Sequence, residues 1–195
     1  MSAPTQLNAF LARSHGGLQQ QLSGGPPRAV HLVFGNEAAD PDSCVCAITM
    51  AAALDAALEG QGALVAPVIP VPRADFKLQL DRVHLLKRAG LDGSGDGPNW
   101  TPTHVSFADE VLQHYVAAAA EECASQQELH VHLVDHNKLA SSLSALAPRV
   151  ASIVDHHAEE GLYTESVPAE SRFVELGIGS CASLVAYLYG HSART

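Results

Sequence analysis

The sequence predicts an α/β domain built on a mostly parallel sheet of five to six strands, with helices on both faces. Short apolar runs alternate with longer helical stretches along most of the chain, an order that is typical of a parallel sheet. Hydrophobic residues make up 47% of the 195 residues and charged residues 16%, as in a packed globular domain. Acidic residues follow four of the apolar runs, which predicts a functional site at one edge of the sheet.

The N-terminal 28 residues are predicted to be a helix and a linker that precede the main domain. Apolar residues at residues 6–13 indicate a short amphipathic helix, and the Gly-Gly-Pro-Pro run at residues 24–27 interrupts the chain after it. We expect this helix to pack outside the first strand.

Six short apolar runs are predicted to be the strands of the sheet. They cover residues 29–34, 63–69, 104–107, 129–134, 150–154 and 172–176. Helices are predicted between or after them, at residues 43–58, 80–89, 111–124, 139–146 and 180–189. The domain therefore extends over residues 29–190, and residues 191–195 are predicted to be a tail or the start of an interdomain linker.

Residues that favour helix ends support these helices. Ser43 is suited to begin the first helix of the domain, and Gly60 follows its end. The next helix carries Asp81 in its first turn and Lys87 and Arg88 in its last, which matches the helix dipole. Residues 91–103, rich in Gly, Asp, Pro and Asn, are predicted to be a surface loop.

The charge of the chain bears on its partners and its compartment. Eleven Lys and Arg oppose twenty-one Asp and Glu, and a nucleic-acid groove is expected to be basic, so no nucleic-acid partner is predicted. No apolar run approaches the ~18 residues of a membrane helix, and no signal peptide is recognisable, so no membrane segment is predicted. The four cysteines form no disulfide pattern, which favours a reducing compartment and a cytoplasmic location.

Acidic residues after four predicted strands form a candidate metal site. The carboxylates are Asp40 and Asp42, Asp109, Asp135 and Asp155. Because the carboxyl ends of parallel strands meet along one edge, these residues are expected in one crevice. Carboxylates this close repel each other unless a cation lies between them, and hard divalent ions prefer oxygen ligands. For each motif alone, an Asp that only caps a helix is the alternative.

A Val-Asp-His tripeptide occurs twice, at residues 134–136 and 154–156. Asp followed by His can supply one metal ligand and one residue that orients it or acts as an acid. The alternative role for Asn137 and His157 is support through hydrogen bonds. His130 and His132 alternate along a predicted strand, which favours packing on the sheet over metal binding.

These motifs resemble the DHH phosphoesterase superfamily, and most closely its exopolyphosphatase and prune subfamily. The resemblance lies first in Gly-Asn-Glu-Ala-Ala-Asp-Pro-Asp-Ser at residues 35–43, Leu-Val-Asp-His-Asn at 133–137 and Ile-Val-Asp-His-His at 153–157. Residues 72–78, 107–110 and 179–182 are also similar, and all motifs occur in the expected order over residues 29–190. Asn36 stands where related pyrophosphatases have a His.

The resemblance implies a binuclear Mn²⁺ or Mg²⁺ site. The implied metal ligands, which are also the implied catalytic residues, are Asp40, Asp42, Asp109, His136 and Asp155, with Asp109 bridging the two ions. The implied substrate-binding residues are Arg73, His156, His157 and Ser180. Further basic residues that could reach phosphate are Lys77, Lys138, Arg149 and Arg172.

The resemblance also implies hydrolysis of a phosphoanhydride, in inorganic polyphosphate, pyrophosphate or another small phosphorylated substrate. Subfamily enzymes carry a basic C-terminal domain of the DHHA2 type, whereas this sequence stops at Thr195. Two alternatives therefore stay open: a binding or regulatory module of low activity, and a fragment of a two-domain enzyme. A nuclease is disfavoured, because the chain is acidic and only 5% of its residues are aromatic.

Overall fold

The computed structural model describes residues 3–120 and 128–190. The helices are α1 (Ala3–Leu22), α2 (Pro41–Ala57), α3 (Arg73–Phe76), α4 (Leu80–Arg88), α5 (Ala108–Ala120) and α6 (Cys181–Tyr189). The strands are β1 (Val30–Phe34), β2 (Leu64–Ile69), β3 (Gly93–Ser94), β4 (Thr101–Pro102), β5 (Ser106–Phe107), β6 (Leu129–Val134), β7 (Val150–Asp155) and β8 (Arg172–Val174). Short 3₁₀ helices cover Gly97–Asn99, Ser141–Arg149 and Ala169–Ser171.

Six strands form one parallel sheet in the order β5-β2-β1-β6-β7-β8. Helices α2, α4 and α6 pack on one face, and α5 packs on the other with the 3₁₀ helix at Ser141–Arg149. The predicted α/β fold is therefore confirmed. Among the described helices, none is both long and apolar enough to cross a membrane.

The topology creates a crevice between β1 and β6. From β1 the chain moves outward on one side to β2 and β5, and then crosses back to β6 and continues to β7 and β8 on the other side. The loops after β1 and β6 therefore leave the sheet in opposite directions. Open parallel sheets bind ligands at such a switch point, beyond the carboxyl ends of the strands.

Helix α1 is longer than predicted and covers the edge of β2 rather than β1. Strand β5 pairs only with the last two residues of β2, so the edge of β2 is free near its start. There the Ser14 hydroxyl donates to the Val65 carbonyl at 2.6 Å. A Cβ on Gly17 would lie 2.8 Å from Leu64 Cδ1, so glycine allows the close approach. This tertiary packing keeps the helix continuous past residue 13, the predicted end of the helix.

Three other elements differ from the prediction. In place of the α-helix predicted at residues 139–146, Ser141–Arg149 form a 3₁₀ helix that contains Pro148, a residue that cannot donate the hydrogen bond of an α-helix. The predicted loop at residues 91–103 contains the β3–β4 hairpin, in which Trp100 is buried against Gly93. Helix α5 begins three residues earlier than predicted, and residues 121–124 and 191–195 lie outside the described part of the chain.

Three histidines stack on the sheet near the start of β1 and β6. The His31 ring lies 4.4 Å from that of His130 and 5.3 Å from that of His132, measured between ring centroids. His31 Nδ1 and His132 Nε2 are 3.0 Å apart, and His132 Nδ1 lies 2.7 Å from Ser152 Oγ. Burial and then the neighbouring rings lower the pKa of His31 to about 4 and that of His132 to about 3. Both rings are therefore neutral at neutral pH.

This stack predicts loss of stability in mild acid. An unfolded His takes up a proton below about pH 6.5, whereas the folded rings resist it, so the unfolded state binds more protons as the pH falls. The free energy of unfolding should fall from about pH 6.5 towards pH 4, by at most ~1.4 kcal/mol per pH unit for each ring. Urea unfolding across this range measures the slope. His31→Gln should reduce it, and the exposed control His84→Gln should not; equal slopes in the wild type and His31→Gln would contradict the assignment.

Candidate metal centre

Asp135, His156 and His157 form a compact group of possible metal ligands beyond the ends of β6 and β7. One ligand atom from each lies within 4.8 Å of the others. Asp40, the N-cap of α2, and Asp42, in the first turn of α2, adjoin the group on the β1 side. The group therefore lies beyond the ends of two adjacent strands, β6 and β7, and Asp40 and Asp42 extend it to the β1 side, at the crevice that the strand order creates.

Asp135 is the buried centre of this group. Its side chain is 1% exposed, and its backbone N–H donates to the Val154 carbonyl at 2.9 Å. Its φ of 63° is uncommon for a residue with a side chain, and such backbone strain is concentrated at functional sites. Burial, followed by the charges of Asp40 and Asp42, raises the pKa of Asp135 to about 7.

Asn36 connects the carboxylates of neighbouring strands. Its side-chain amide donates to Asp135 Oδ2 at 2.8 Å and to Asp40 Oδ2 at 3.2 Å. Asp40 also caps α2, because its Oδ1 accepts from the Ser43 backbone N–H at 2.9 Å. A Cβ at Gly35 would lie only 2.3 Å from Ser43 Oγ, so the turn requires glycine at this position. The turn thereby sets the spacing of the Asp40 and Asp135 carboxylates.

His156 directs one ring nitrogen at the carboxylates. Its Nδ1 donates to the Ile178 carbonyl at 2.8 Å, so Nε2 carries the lone pair of the neutral ring. Nε2 lies 3.2 Å from Asp135 Oδ1 and 3.8 Å from Asp42 Oδ2. Asp135 Oδ1 is nevertheless buried without a well-oriented hydrogen bond from any described residue. Two lone pairs at 3.2 Å repel each other unless a proton or another cation lies between them.

Asp42 ties α2 to the start of α6. Its carboxylate accepts from the Ser180 hydroxyl at 2.9 Å and from the backbone N–H groups of Cys181 and Ala182, both at 2.8 Å. Burial alone would raise the pKa of Asp42, but these hydrogen bonds outweigh it and lower the pKa below its ordinary value. Asp42 is therefore ionised, and the Ser180 hydroxyl donates its hydrogen bond to Asp42.

Both carboxylate oxygens of Asp155 accept hydrogen bonds. It is fully buried, and its Oδ1 accepts from the His156 and His157 backbone N–H groups and from His157 Nδ1 at 2.8 Å. Its Oδ2 accepts from the Asn137 amide at 2.6 Å, and Asn137 also contacts the backbone at Ala158 and Glu160. Asp155 thus orients His157 and shapes the loop after β7, and these hydrogen bonds occupy both of its oxygens.

The sequence is similar to known proteins of one family. The sequence matches the DHH family, N-terminal domain, over residues 31–195. The chain belongs to the DHH family. It is 34% identical over 158 residues to exopolyphosphatase PRUNE1 of Homo sapiens, and 33% identical over 159 residues to that of Bos taurus. It is 30% identical over 155 residues to a putative exopolyphosphatase of Schizosaccharomyces pombe.

The matches cover most of this DHH chain but only part of each relative. They take in 81%, 82% and 79% of the chain, and 30%, 30% and 34% of the human, bovine and yeast proteins. The chain therefore spans about a third of the length of the curated relatives it matches. The resemblance to the exopolyphosphatase and prune subfamily that the motifs predicted is confirmed.

Two residues predicted for the site lie apart from the group around Asp135. Asp109 is exposed at the start of α5 beyond β5, two strand spacings or roughly 10 Å across the sheet from β1. It accepts from the Arg73 backbone N–H at 3.1 Å. The Arg73 guanidinium contacts Glu110, donates to the Pro102 and Val105 carbonyls and lies over the Phe107 ring. Arg73 therefore holds the β5 region together, and its donors are engaged there.

His136, a predicted metal ligand, directly follows Asp135 along the chain. Its Nδ1 donates to the Val134 carbonyl at 2.9 Å, which leaves Nε2 as an acceptor, and its ring is half-buried. Burial lowers the pKa of His136 and keeps its ring neutral.

Asp135 was predicted to lie in the acidic cluster but was not among the predicted metal ligands. The signal that identifies it is its position as the first residue after β6, the strand that pairs with β1.

The residues present fit a divalent cation. The side chains that surround Asp135 offer carboxylate oxygens and an imidazole nitrogen, the kinds of ligand atom that divalent-cation sites use. The unsatisfied Asp135 Oδ1 opposite His156 Nε2 is the specific observation, because a cation between these atoms would turn a repulsive contact into two attractive ones. Metal dependence is general among DHH phosphoesterases, and this donor set is consistent with it.

The geometry predicts which carboxylate matters for metal binding. Asp135→Asn should weaken Mn²⁺ binding at least about 10-fold, because it removes the central charge of the group while keeping its shape. Asp109→Asn, the matched control, should leave the affinity unchanged. Calorimetric titration of the wild type and both variants gives the comparison. Loss of affinity in Asp109→Asn with none in Asp135→Asn would contradict the assignment and restore the ligand set predicted from the sequence.

Proposed function

We propose that this chain is a metal-dependent hydrolase of phosphoanhydride bonds that acts on pyrophosphate or inorganic polyphosphate. The observation that carries the proposal is the buried Asp135 carboxylate beside Asp40, Asp42 and His156 at the switch point of the sheet. The names of the relatives, exopolyphosphatase, support the same reaction class. Since the chain spans about a third of those relatives, the activity and substrates of the whole proteins are part of the proposal.

In this proposal, Asp40, Asp42, Asp135 and His156 would hold a pair of Mn²⁺ or Mg²⁺ ions, and Asp135 would take the central role predicted for Asp109. The bound ions would supply positive charge to the phosphate oxygens and lower the pKa of the attacking water. Asn36 keeps Asp40 and Asp135 at a fixed spacing through its two hydrogen bonds. Those contacts organise the carboxylates before any ion arrives.

His157 is the proposed proton donor to the phosphate that leaves. Its ring is exposed, and its Nδ1 donates to the buried Asp155 carboxylate, so Nε2 takes no part in that hydrogen bond. The hydrogen bond to Asp155 raises the pKa of His157 above its ordinary value, which increases the protonated fraction near neutral pH. A proton on Nε2 would stabilise the charge that develops on the leaving oxygen. Asp155 in this proposal orients His157 and is not itself a metal ligand.

Phosphate release from pyrophosphate and tripolyphosphate tests the proposal. With added Mn²⁺, the 195-residue chain should release phosphate from at least one of the two substrates, and a chelator should abolish the release. Asp135→Asn should lower turnover by more than roughly 10-fold, whereas Asp109→Asn should retain it.

Two results would contradict the proposal. Turnover that survives the chelator or Asp135→Asn would show that the reaction does not use this site. Binding of Mn²⁺ without turnover of either substrate would rule out hydrolysis of these substrates by this chain and favour the binding module that the sequence left as an alternative.

A further inference from the structure

Arg82 lies against the turn that carries the candidate metal ligands of β1. It belongs to α4, and its Nη2 donates to the Ala38 carbonyl at 3.1 Å, two residues before Asp40. Its charge also reaches the first turn of α2. Burial raises the pKa of the Cys44 thiol to about 12, and Arg82 opposes this effect while Asp40 and Asp135 add to it. The guanidinium is thus close to the acidic group without being part of it.

The hydrogen bonds of this guanidinium are incomplete. Nε is buried and has no hydrogen-bond partner in the part of the chain that the structure describes. The Asp81 carboxylate lies 3.7 Å from Nε, beyond hydrogen-bond distance, and the Asp81 side chain is 59% exposed, so solvent screens this pair. Only 14% of the Arg82 side chain is exposed. A largely covered cation with an unused donor is stabilised by an anion at the same place.

Three of the basic side chains that were predicted to bind phosphate form hydrogen bonds or ion pairs with other groups of the chain. The Arg73 guanidinium is occupied by Glu110 and two backbone carbonyls. Arg172 donates to Glu159 and to the Leu162 carbonyl. Lys138 pairs with Glu160 at 3.6 Å. Arg82, which was not among the residues predicted for phosphate binding, has spare donors next to the turn at residues 36–42.

On the basis of the proposed function, we propose that Arg82 binds a phosphate group of the substrate at the β1 side of the metal centre. The planar fork of a guanidinium matches the oxygens of a phosphate and forms two charge-assisted hydrogen bonds at once. The Ala38 contact uses one donor and holds the side chain beside the turn. Arg82 would therefore favour ligands with a second phosphate beyond the one at the metal centre, and it would act on binding rather than on the chemical step.

Binding of imidodiphosphate, a pyrophosphate analogue with a nitrogen bridge, tests this role without requiring turnover. Calorimetry would compare the Mn²⁺-loaded chain with Arg82→Gln, Arg82→Lys and the control Arg88→Gln, an exposed residue on the same helix. Arg82→Gln should weaken analogue binding by about 10- to 100-fold. Arg82→Lys should recover part of the loss, because it restores the charge but not the fork. Arg88→Gln should bind like the wild type, and Mn²⁺ affinity should be equal in all four proteins.

The outcomes separate this role from a structural one. If Arg82→Gln binds the analogue as tightly as the wild type, the proposal is overturned. If Arg82→Gln loses Mn²⁺ affinity in parallel, Arg82 positions the turn at residues 36–42 instead, and the proposal is also overturned. Analogue binding that depends on Arg82 in a chain that releases no phosphate would support Arg82 while contradicting the hydrolase. A wild type that does not bind the analogue would contradict both.

Discussion

The burial of the Asp135 carboxylate at the switch point of the sheet is the constraint on which the rest of the site depends. Asp135 adjoins Asp40 and Asp42, so burial and repulsion both oppose its charge. Asn36 offsets part of this cost with one hydrogen bond, and His156 presents a nitrogen to the other oxygen. The part of this cost that is not offset favours the binding of a proton or a metal ion at Asp135. The backbone of Asp135 is also left-handed, a conformation that costs free energy in a residue with a side chain.

Hydrogen bonds divide the acidic residues at this edge into two kinds. Asp155 is surrounded by donors from His156, His157 and Asn137, so it is stable as a buried anion and shapes the loop after β7. Asp135 has a single donor on one oxygen and none on the other among the described residues. A carboxylate oxygen that accepts no hydrogen bond can bind a cation, whereas a carboxylate with donors on both oxygens orients its neighbours. Two residues in equivalent Val-Asp-His motifs thereby acquire different roles.

The sequence predicted the fold well because local patterns determine it. Short apolar runs such as residues 150–154 favour buried strands, and their alternation with helices favours a parallel sheet. The site was harder to predict, because the order of strands along the chain is not their order across the sheet. Asp109 follows a strand as Asp40 does, yet β2 separates β5 from β1. No sequence pattern reveals that Arg73 is occupied by Glu110, since that contact depends on side-chain geometry.

A crystal structure of the chain soaked with Mn²⁺, with anomalous scattering recorded near the manganese absorption edge, would locate any bound ion relative to Asp135 and Asp109. The account predicts anomalous peaks within coordination distance of the Asp135 carboxylate, with Asp40, Asp42 or His156 as further ligands. It also predicts no peak at Asp109. A peak coordinated by Asp109 or Asp155 in the absence of one at Asp135 would contradict the account, because the metal would then occupy residues that the fold commits to hydrogen bonds elsewhere.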